Sequence, residues 1–454
     1  MAEKKLFNHN WTFLKTDFGT ELSDIIERVE EFVSVDIPHD WLIYQVNNLY
    51  ENSTGWYRKL VTVEELGLGE GERAILRFDG VYMDSTLYVN GQKVGDWKYG
   101  YSAFQFDITE YLGEGENELL LQVRFQSPNS RWYSGAGIYR NVWLKVYPKV
   151  YLPLDGTYVS TKYLGDGNYQ LEVETEIGGT VTEKAKCHYG LYFAGELVQD
   201  LGWQEKSWER EETDACAGAL DSIAFKDCTM GQNGGSSVER LTIASIIKEI
   251  IAPKEWNLDA PNCYMLRVEL YDGEKKVDTQ EITIGFRYMR FDPNTGFYIN
   301  DKYVKIHGVC EHHDFGCLGA VFHKEAMRRK FEILRTMGVN ALRTSHNMPA
   351  AELLELADEM GFLIMDEAFD MWERSKTGYD YGRFFREWAE ADVRSWIRRD
   401  RNHPCLFLWS IGNEIYDTHA DEHGQEITHR LIRFVREHDP KENALITIGS
   451  NYMP

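Results

Sequence analysis

Hydrophobic and polar positions alternate in short runs through the first third of the chain. Ala74-Ile75-Leu76-Arg77-Phe78, Ser85-Thr86-Leu87-Tyr88-Val89, Phe104-Gln105-Phe106-Asp107-Ile108 and Glu118-Leu119-Leu120-Leu121-Gln122-Val123 all read as strands. Turn signals separate them, with Asn90-Gly91 marking a tight hairpin. Short strands at this spacing predict a jelly-roll β-sandwich over residues 1–148. A second β-rich block follows over 149–290. Here Tyr169-Gln170-Leu171-Glu172-Val173 and Tyr264-Met265-Leu266-Arg267-Val268-Glu269-Leu270 alternate as half-exposed strands do. Between them, Gln204 to Ser237 is polar, glycine-containing and without period, which predicts a long insertion in an immunoglobulin-like sandwich.

Past about Asp292 the pattern becomes strands alternating with amphipathic helices, the mark of a parallel α/β layer. Tyr303–Val309, Ala341–Thr344, Phe362–Met365, Leu406–Ile411 and Ala444–Ile448 are the predicted strands. One helix is expected over His323–Met337, with Ala326, Met327, Phe331, Leu334 and Met337 on one face. Another opens at Pro349, in the favoured first-turn position, and ends at Gly361. Residues 291–454 therefore read as the N-terminal part of a TIM barrel, with five of the eight strands such a barrel needs. The fold class is multidomain β plus α/β.

The fourth predicted strand carries the strongest chemical signal. Leu406, Phe407, Leu408, Trp409 and Ile411 form the near-continuous apolar run of a parallel strand covered on both faces, and Asn413-Glu414 follows it. A carboxylate after such a run sits at the strand's C-terminal end, where barrel enzymes place their catalytic groups. Three other strands end similarly, in Glu311-His312-His313-Asp314, Arg343-Thr344-Ser345-His346-Asn347 and Asp366-Glu367-Ala368-Phe369-Asp370. Caps and ion pairs explain one polar strand end. Four in succession point to a shared site of the sort a sugar needs. Glycoside hydrolysis uses two carboxyl groups, about 5 Å apart in retaining enzymes, one donating a proton and the other attacking. Glu414 supplies the first, and the Asn413 amide beside it suits a substrate hydroxyl. Arg343 either balances Glu367 or Glu414 or tunes them, since a nearby cation shifts a carboxylate's pKa. His312 and His313 read as loop histidines or as metal ligands, but no regular His/carboxylate ligand spacing accompanies them, so zinc is not expected.

Composition narrows the classes. The 454 residues suffice for several domains, and 43% hydrophobic content with 13 Trp, 26 Tyr and 22 Phe suits large cores. The balance of 49 basic against 73 acidic residues gives a net charge of −24, which argues against nucleic acid and anionic membrane as partners. Seven scattered cysteines suit a reducing compartment, and the N-terminus lacks an apolar signal core. No run of about 18 apolar residues occurs. A cytoplasmic protein with a carbohydrate partner is expected; a homo-oligomer is compatible with this reading.

Several segments together resemble glycoside hydrolase family 2, the family of β-galactosidases, β-glucuronidases and β-mannosidases. They are Ile37-Pro38-His39-Asp40-Trp41, Gly55-Trp56-Tyr57-Arg58, Ser134-Gly135-Ala136-Gly137-Ile138-Tyr139-Arg140-Asn141-Val142, Pro253-Lys254-Glu255-Trp256, Arg343-Thr344-Ser345-His346-Asn347 and the stretch from Arg399 to Glu414. The resemblance implies that Glu414 is the general acid/base, that Asn413 contacts the sugar near its 2-hydroxyl and that His346 lines the sugar subsite. It extends to His313 and Asp370. The family's best-known galactosidases hold magnesium through a histidine just after the third strand. Phe369-Asp370-Met371-Trp372-Glu373 lacks that histidine, so no metal and no cofactor is expected. Many members carry an aspartate seven residues before the isoleucine of the Gly-Ile motif; counting back from Ile138 gives Arg131 here. That change is either a subfamily trait or a sign of an acidic sugar. The family's nucleophile is a glutamate at the seventh strand, and the sequence stops at Pro454 just past the fifth, so the nucleophile is expected to lie outside it. The expected activity is that of a retaining exo-β-glycosidase. β-Galactosides lead because Trp132-Tyr133-Ser134-Gly135-Ala136-Gly137 and Asp366-Glu367-Ala368-Phe369-Asp370 look most like that branch. β-Glucuronides or β-galacturonides are the alternative within the class. A carbohydrate-binding protein without a nucleophile is the alternative from another class.

Overall fold

Strand-forming runs in the N-terminal third pair into two antiparallel sheets. The structure is a computed structural model that describes residues 4–206, 208–210 and 241–451. One sheet has six strands, ordered Val33–Val35, Trp11–Asp17, Ser53–Thr62, Glu116–Phe125, Ser85–Val89 and Gln92–Trp97. The facing sheet orders Lys4–Leu6, Val142–Tyr147, Arg73–Phe78 and Phe104–Asp107. Alternation along these strands sends Leu76, Phe78, Leu87, Val89, Phe106, Leu119 and Leu121 into one buried core. Asn90 and Gly91 both take positive φ, 51° and 75°, the twist a two-residue hairpin requires.

The second block is also a two-sheet sandwich. Val150–Tyr151, Asn168–Gly179, Leu241–Ile250 and Trp208–Arg210 follow one another in one sheet, with Thr157–Gly165 also pairing with Asn168–Gly179. Glu196–Glu205, Ala185–Phe193, Tyr264–Asp272 and Lys275–Ile284 form the other. Leu171, Val173, Tyr189, Leu191, Leu266 and Val268 meet between them. The expected insertion needs correcting at its start, since Gln204 and Glu205 complete a strand and Trp208–Arg210 forms another. Residues 211–237 of it lie outside the described residues.

Five parallel strands follow in sequential order: Gly308–Glu311, Ala341–Thr344, Leu363–Glu367, Leu406–Asn413 and Leu445–Gly449. Three sequence expectations shift. Tyr303–Val309 is not one strand: Lys302–Val304 closes a small antiparallel sheet with Met289–Asp292 and Gly296–Ile299, and the first parallel strand begins only at Gly308. The helix drawn from Pro349 starts at Ala351 with Ala350 as its cap, and Gly361 ends it in the left-handed conformation. The other helix spans Lys324–Thr336, capped by the His323 side chain; it buries Met327 and Phe331 but leaves Met337 exposed. Among the described residues, no helix is long and apolar enough to cross a membrane.

The first sandwich and the parallel layer share one hydrophobic core. Trp97 meets Trp388 edge-on at 5.5 Å, and Tyr99 packs on Phe369 and Tyr381. Burying rings of this size stabilises by roughly 2–3 kcal/mol each. Within this contact the Ser102 hydroxyl donates to Asp392 at 2.5 Å, and the Tyr381 hydroxyl donates to its other oxygen. Burial pushes the Asp392 carboxyl up to about 7, against the pull of those two donors. A raised folded-state pKa means that the folded protein holds a proton which the unfolded chain releases. The group's stabilising contribution is therefore full below about pH 4 and lost as pH rises to about 7. Between pH 5.5 and 8 the wild type is expected to lose about 2 kcal/mol from this group, a loss absent in Asp392→Asn. Urea midpoints of both proteins at the two pH values measure it; parallel slopes would refute the assignment.

Candidate active site

The strand Leu406–Asn413 delivers the central pair. Its register against Leu445–Gly449 slips between Ser410 and Asn413, so one extra residue bulges there. A bulge re-aims the side chains that follow it. Gly412 suits the bend, because a Cβ there would lie 2.6 Å from Ile415. Asn413 ends the strand buried. Glu414 follows at φ 47°, a left-handed conformation that non-glycine residues rarely adopt, with its side chain 36% exposed. Its backbone N–H donates to the Gly449 carbonyl at 2.7 Å.

Around this pair the neighbouring strand ends form a continuous polar network. Asn413 donates from Nδ2 to Asp370 at 2.8 Å and accepts at Oδ1 from Arg343 at 2.8 Å. Arg343 also donates twice to Glu367 Oε2, at 2.9 and 2.7 Å, and Ser410 Oγ donates to the same oxygen at 2.6 Å. His346 Nδ1 meets the other Glu367 oxygen at 2.6 Å. Burial opposes the Arg343 charge, but Glu367 outweighs it and holds the guanidinium above its ordinary value. From the first sandwich comes Arg131, whose Nε and Nη2 bind Asp370 at 3.1 and 2.6 Å while Nη1 reaches Glu414 Oε2 at 3.1 Å. Lys376, from the loop after the third strand, binds Asp370 at 3.0 Å and the Asn413 carbonyl at 2.7 Å. Three cations thus face three carboxylates, and each of the six is paired.

Of the residues singled out from sequence, Glu414, Asn413, Asp370, Arg343, His346 and Arg131 belong to this one network. His313 does not. Its Nε2 meets the Ser134 carbonyl at 3.0 Å and its ring packs against Tyr101 and Tyr139, where burial pushes its pKa down to about 4. Its neighbour His312 faces the site instead: His312 and His346 both pack against Trp132, at 5.0 and 4.6 Å. Both follow the strand Gly308–Glu311, and the chain bends at His313, so the two neighbouring rings face different sides. Arg343 balances Glu367, as one sequence reading had it. Lys376 and Ser410 were missed, and Glu367 was read as that partner and as one member of a polar strand end, without a role of its own. Its place at the polar end of the strand Leu363–Glu367 was the sequence signal; its complete burial appears only in the structure.

A divalent ion fits poorly here. The two carboxylates nearest to one another through a shared partner, Asp370 and Glu414, are bridged by the Arg131 guanidinium, and Lys376 adds a second cation to Asp370. Elsewhere Asp358, His403 and Cys405 cluster closely enough to share an ion. However, Asp358 already uses one oxygen on His403 at 2.5 Å and the other on the Cys405 N–H at 2.9 Å. That cluster sits at the opposite strand end from Glu414 and ties a helix to the turn before Leu406.

Comparison with known proteins gives this geometry its context. The TIM barrel domain of the glycosyl hydrolases family 2 matches residues 293–450, the sugar binding domain of the same family matches 30–148, and a third model of the family matches 211–287. The chain belongs to glycosyl hydrolase family 2. The family's order of sandwich, sandwich and barrel is the order found here. The β-galactosidase BoGH2A of Bacteroides ovatus is 36% identical over 98% of this chain and 52% of its own length. A glycosyl hydrolase family 2 member from Bacteroides cellulosilyticus superposes with a TM-score of 0.84 at 30% identity, covering 100% of this chain and 56% of that one. A β-glucuronidase of Bacteroides uniformis follows at a TM-score of 0.77 and 25% identity, over 99% of this chain and 52% of that one. The chain spans about half the length of the curated relatives it matches. Relatives of both named activities thus share its architecture.

Proposed function

We propose that this chain carries the acid/base half of a retaining exo-β-glycosidase acting on β-galactosides. Glu414 donates the proton to the leaving oxygen and later draws one from water, while a glutamate from another part of the protein attacks the anomeric carbon. Asn413 binds the hydroxyl beside the reacting carbon, and Trp132, His312 and His346 offer ring faces and edges to the sugar. Support comes from the placement of a half-exposed carboxylate at a strand's C-terminal end within a polar network that is otherwise internally satisfied. Asp370 is a poor candidate for the nucleophile, because four donor contacts from Arg131, Lys376 and Asn413 hold its lone pairs.

Among the described residues the charge balance favours a neutral sugar. A uronate carboxylate needs a cation to receive it, and Arg131, Arg343 and Lys376 are each committed to a protein carboxylate. A β-glucuronide or β-galacturonide is the second reading, drawn from Arg131: its side chain is 30% exposed and could exchange Glu414 for a ligand anion. Assaying the full-length protein on chromogenic β-galactoside, β-glucuronide and β-galacturonide separates them. Turnover of the galactoside at least about tenfold above either uronide is expected, from one unsatisfied charge at a paired site. Turnover of a uronide alone reverses the assignment, and turnover of none of the three removes it.

A further inference from the structure

Lys376 lies outside every motif visible in the sequence, yet its side chain is only 1% exposed, against 30% for Arg131 and 24% for Arg343. Burial pushes its pKa below the ordinary lysine value, and Asp370 offsets only part of that. A buried ammonium is costly unless its contacts are specific. One contact is Asp370; the other is the carbonyl of Asn413. The N–H of that same peptide unit, which belongs to Glu414, donates to Gly449. One peptide plane is therefore held at both edges, immediately before the residue that turns left-handed at φ 47°. Such a conformation persists only where the surroundings hold it.

A second path closes a ring. Asp370 accepts from Lys376 and from Arg131, and Arg131 reaches the Glu414 carboxylate. Backbone and side chain of Glu414 are both tied to Asp370, one through each cation. The loops that deliver these cations brace one another. Tyr379 donates its backbone N–H to Pro128 at 2.9 Å, and Arg383 reaches Gln126 at 2.8 Å. Asp380 accepts from the backbone of Lys376 and Thr377 at 2.6 and 2.7 Å, and from Gly382 at 3.0 Å, fixing the loop to the start of the next helix.

We propose that Lys376 and Arg131 are positioning residues for Glu414, Lys376 clamping the Asn413–Glu414 peptide and Arg131 fixing the carboxylate it presents. The kinetic consequences rest on Glu414 being the proton donor; the geometric ones do not. Crystal structures of Lys376→Met and Arg131→Met test the geometry. In the first, the Asn413–Glu414 peptide is expected to rotate and Glu414 to leave positive φ. In the second, the backbone stays and the carboxylate alone moves.

Kinetics on the full-length protein test the consequence. Lys376→Met is expected to lose about 10²-fold in kcat on methyl β-galactoside, with KM within about threefold, because a misplaced acid fails where the leaving group needs a proton. On 2,4-dinitrophenyl β-galactoside, whose leaving group needs none, the loss in kcat/KM, which reports glycosylation alone, stays under about fivefold, while kcat falls because a misplaced Glu414 also fails to activate water. Lys376→Arg, which keeps the charge, recovers at least about tenfold of the loss. An unmoved Glu414 in Lys376→Met overturns the clamp. So does an equal loss in kcat/KM on both substrates, which marks damage to the fold. If Glu414→Gln itself shows no dependence on the leaving group, the proton-donor reading has failed, and the crystal structures alone decide whether the clamp exists.

Discussion

Glu414→Gln is expected to lower kcat on an unactivated β-galactoside by about 10²–10⁴-fold and to leave KM within a few-fold. The substitution keeps the volume and the half-exposed position, but an amide has no proton to give to a leaving alkoxide. Arg131 loses one of its three carboxylate contacts and keeps the two to Asp370, so the mouth of the site holds its shape. On a 2,4-dinitrophenyl glycoside the first chemical step should be nearly unaffected, and the glycosyl-enzyme should then accumulate because the base that activates water is missing. A pre-steady-state burst on that substrate, absent in the wild type, is the readout. Wild-type turnover by Glu414→Gln on methyl β-galactoside would sink the assignment. Sugar binding by both proteins with turnover by neither would instead identify a carbohydrate-binding protein.

Glu367→Ala is expected to destabilise the protein by about 3–5 kcal/mol, the usual cost of removing one partner from a buried ion pair. Glu367 is fully buried and receives Arg343 twice, Ser410 once and His346 on its second oxygen. Its removal strands the Arg343 charge, leaving it the neutral Asn413 Oδ1 as an acceptor but no carboxylate in contact among the described residues. Asn413 would also be affected, since the same guanidinium orients its amide. Removing the charge on both sides, with Arg343→Met and Glu367→Leu together, should cost markedly less than Glu367→Leu alone. Urea denaturation of the singles and the double gives the coupling. A single variant within about 1 kcal/mol of wild type would show that water reaches the pair and that it behaves as a surface ion pair.

The two kinds of residue at this site were unequally visible beforehand. Glu414 and Asn413 follow directly on an apolar run, so the strand that aims them is also the signal that announces them. Arg343 lies near the end of Ala341–Thr344 and His346 just beyond it, and Asp370 lies beyond Leu363–Glu367. His313 was misplaced because adjacency in sequence says nothing about which of two neighbouring side chains faces inward. His312 lies against Trp132 and His346, whereas His313 lies against the sandwich. Lys376 sits in a loop without period, where a lysine is ordinarily solvated, and only the enclosure of that loop by residues 126–128 makes it part of the site.

What the sequence determined by itself was local: which runs are strands, which helices separate them, and that four parallel strands end in chemistry-bearing groups. Hydrophobic period and strand-end composition are properties of neighbouring residues, and they survive without knowledge of the fold. What only the tertiary structure decided was pairing. Arg131 and Asp370 are 239 positions apart, and Arg131 and Glu414 are 283 apart. No periodicity encodes a contact of that span, since it arises where a sandwich loop meets a barrel mouth through a core that includes both Trp97 and Trp388. Those two contacts join a charge from the sandwich to the carboxylates of the parallel layer, whereas Arg343–Glu367 and Lys376–Asp370 pair within that layer.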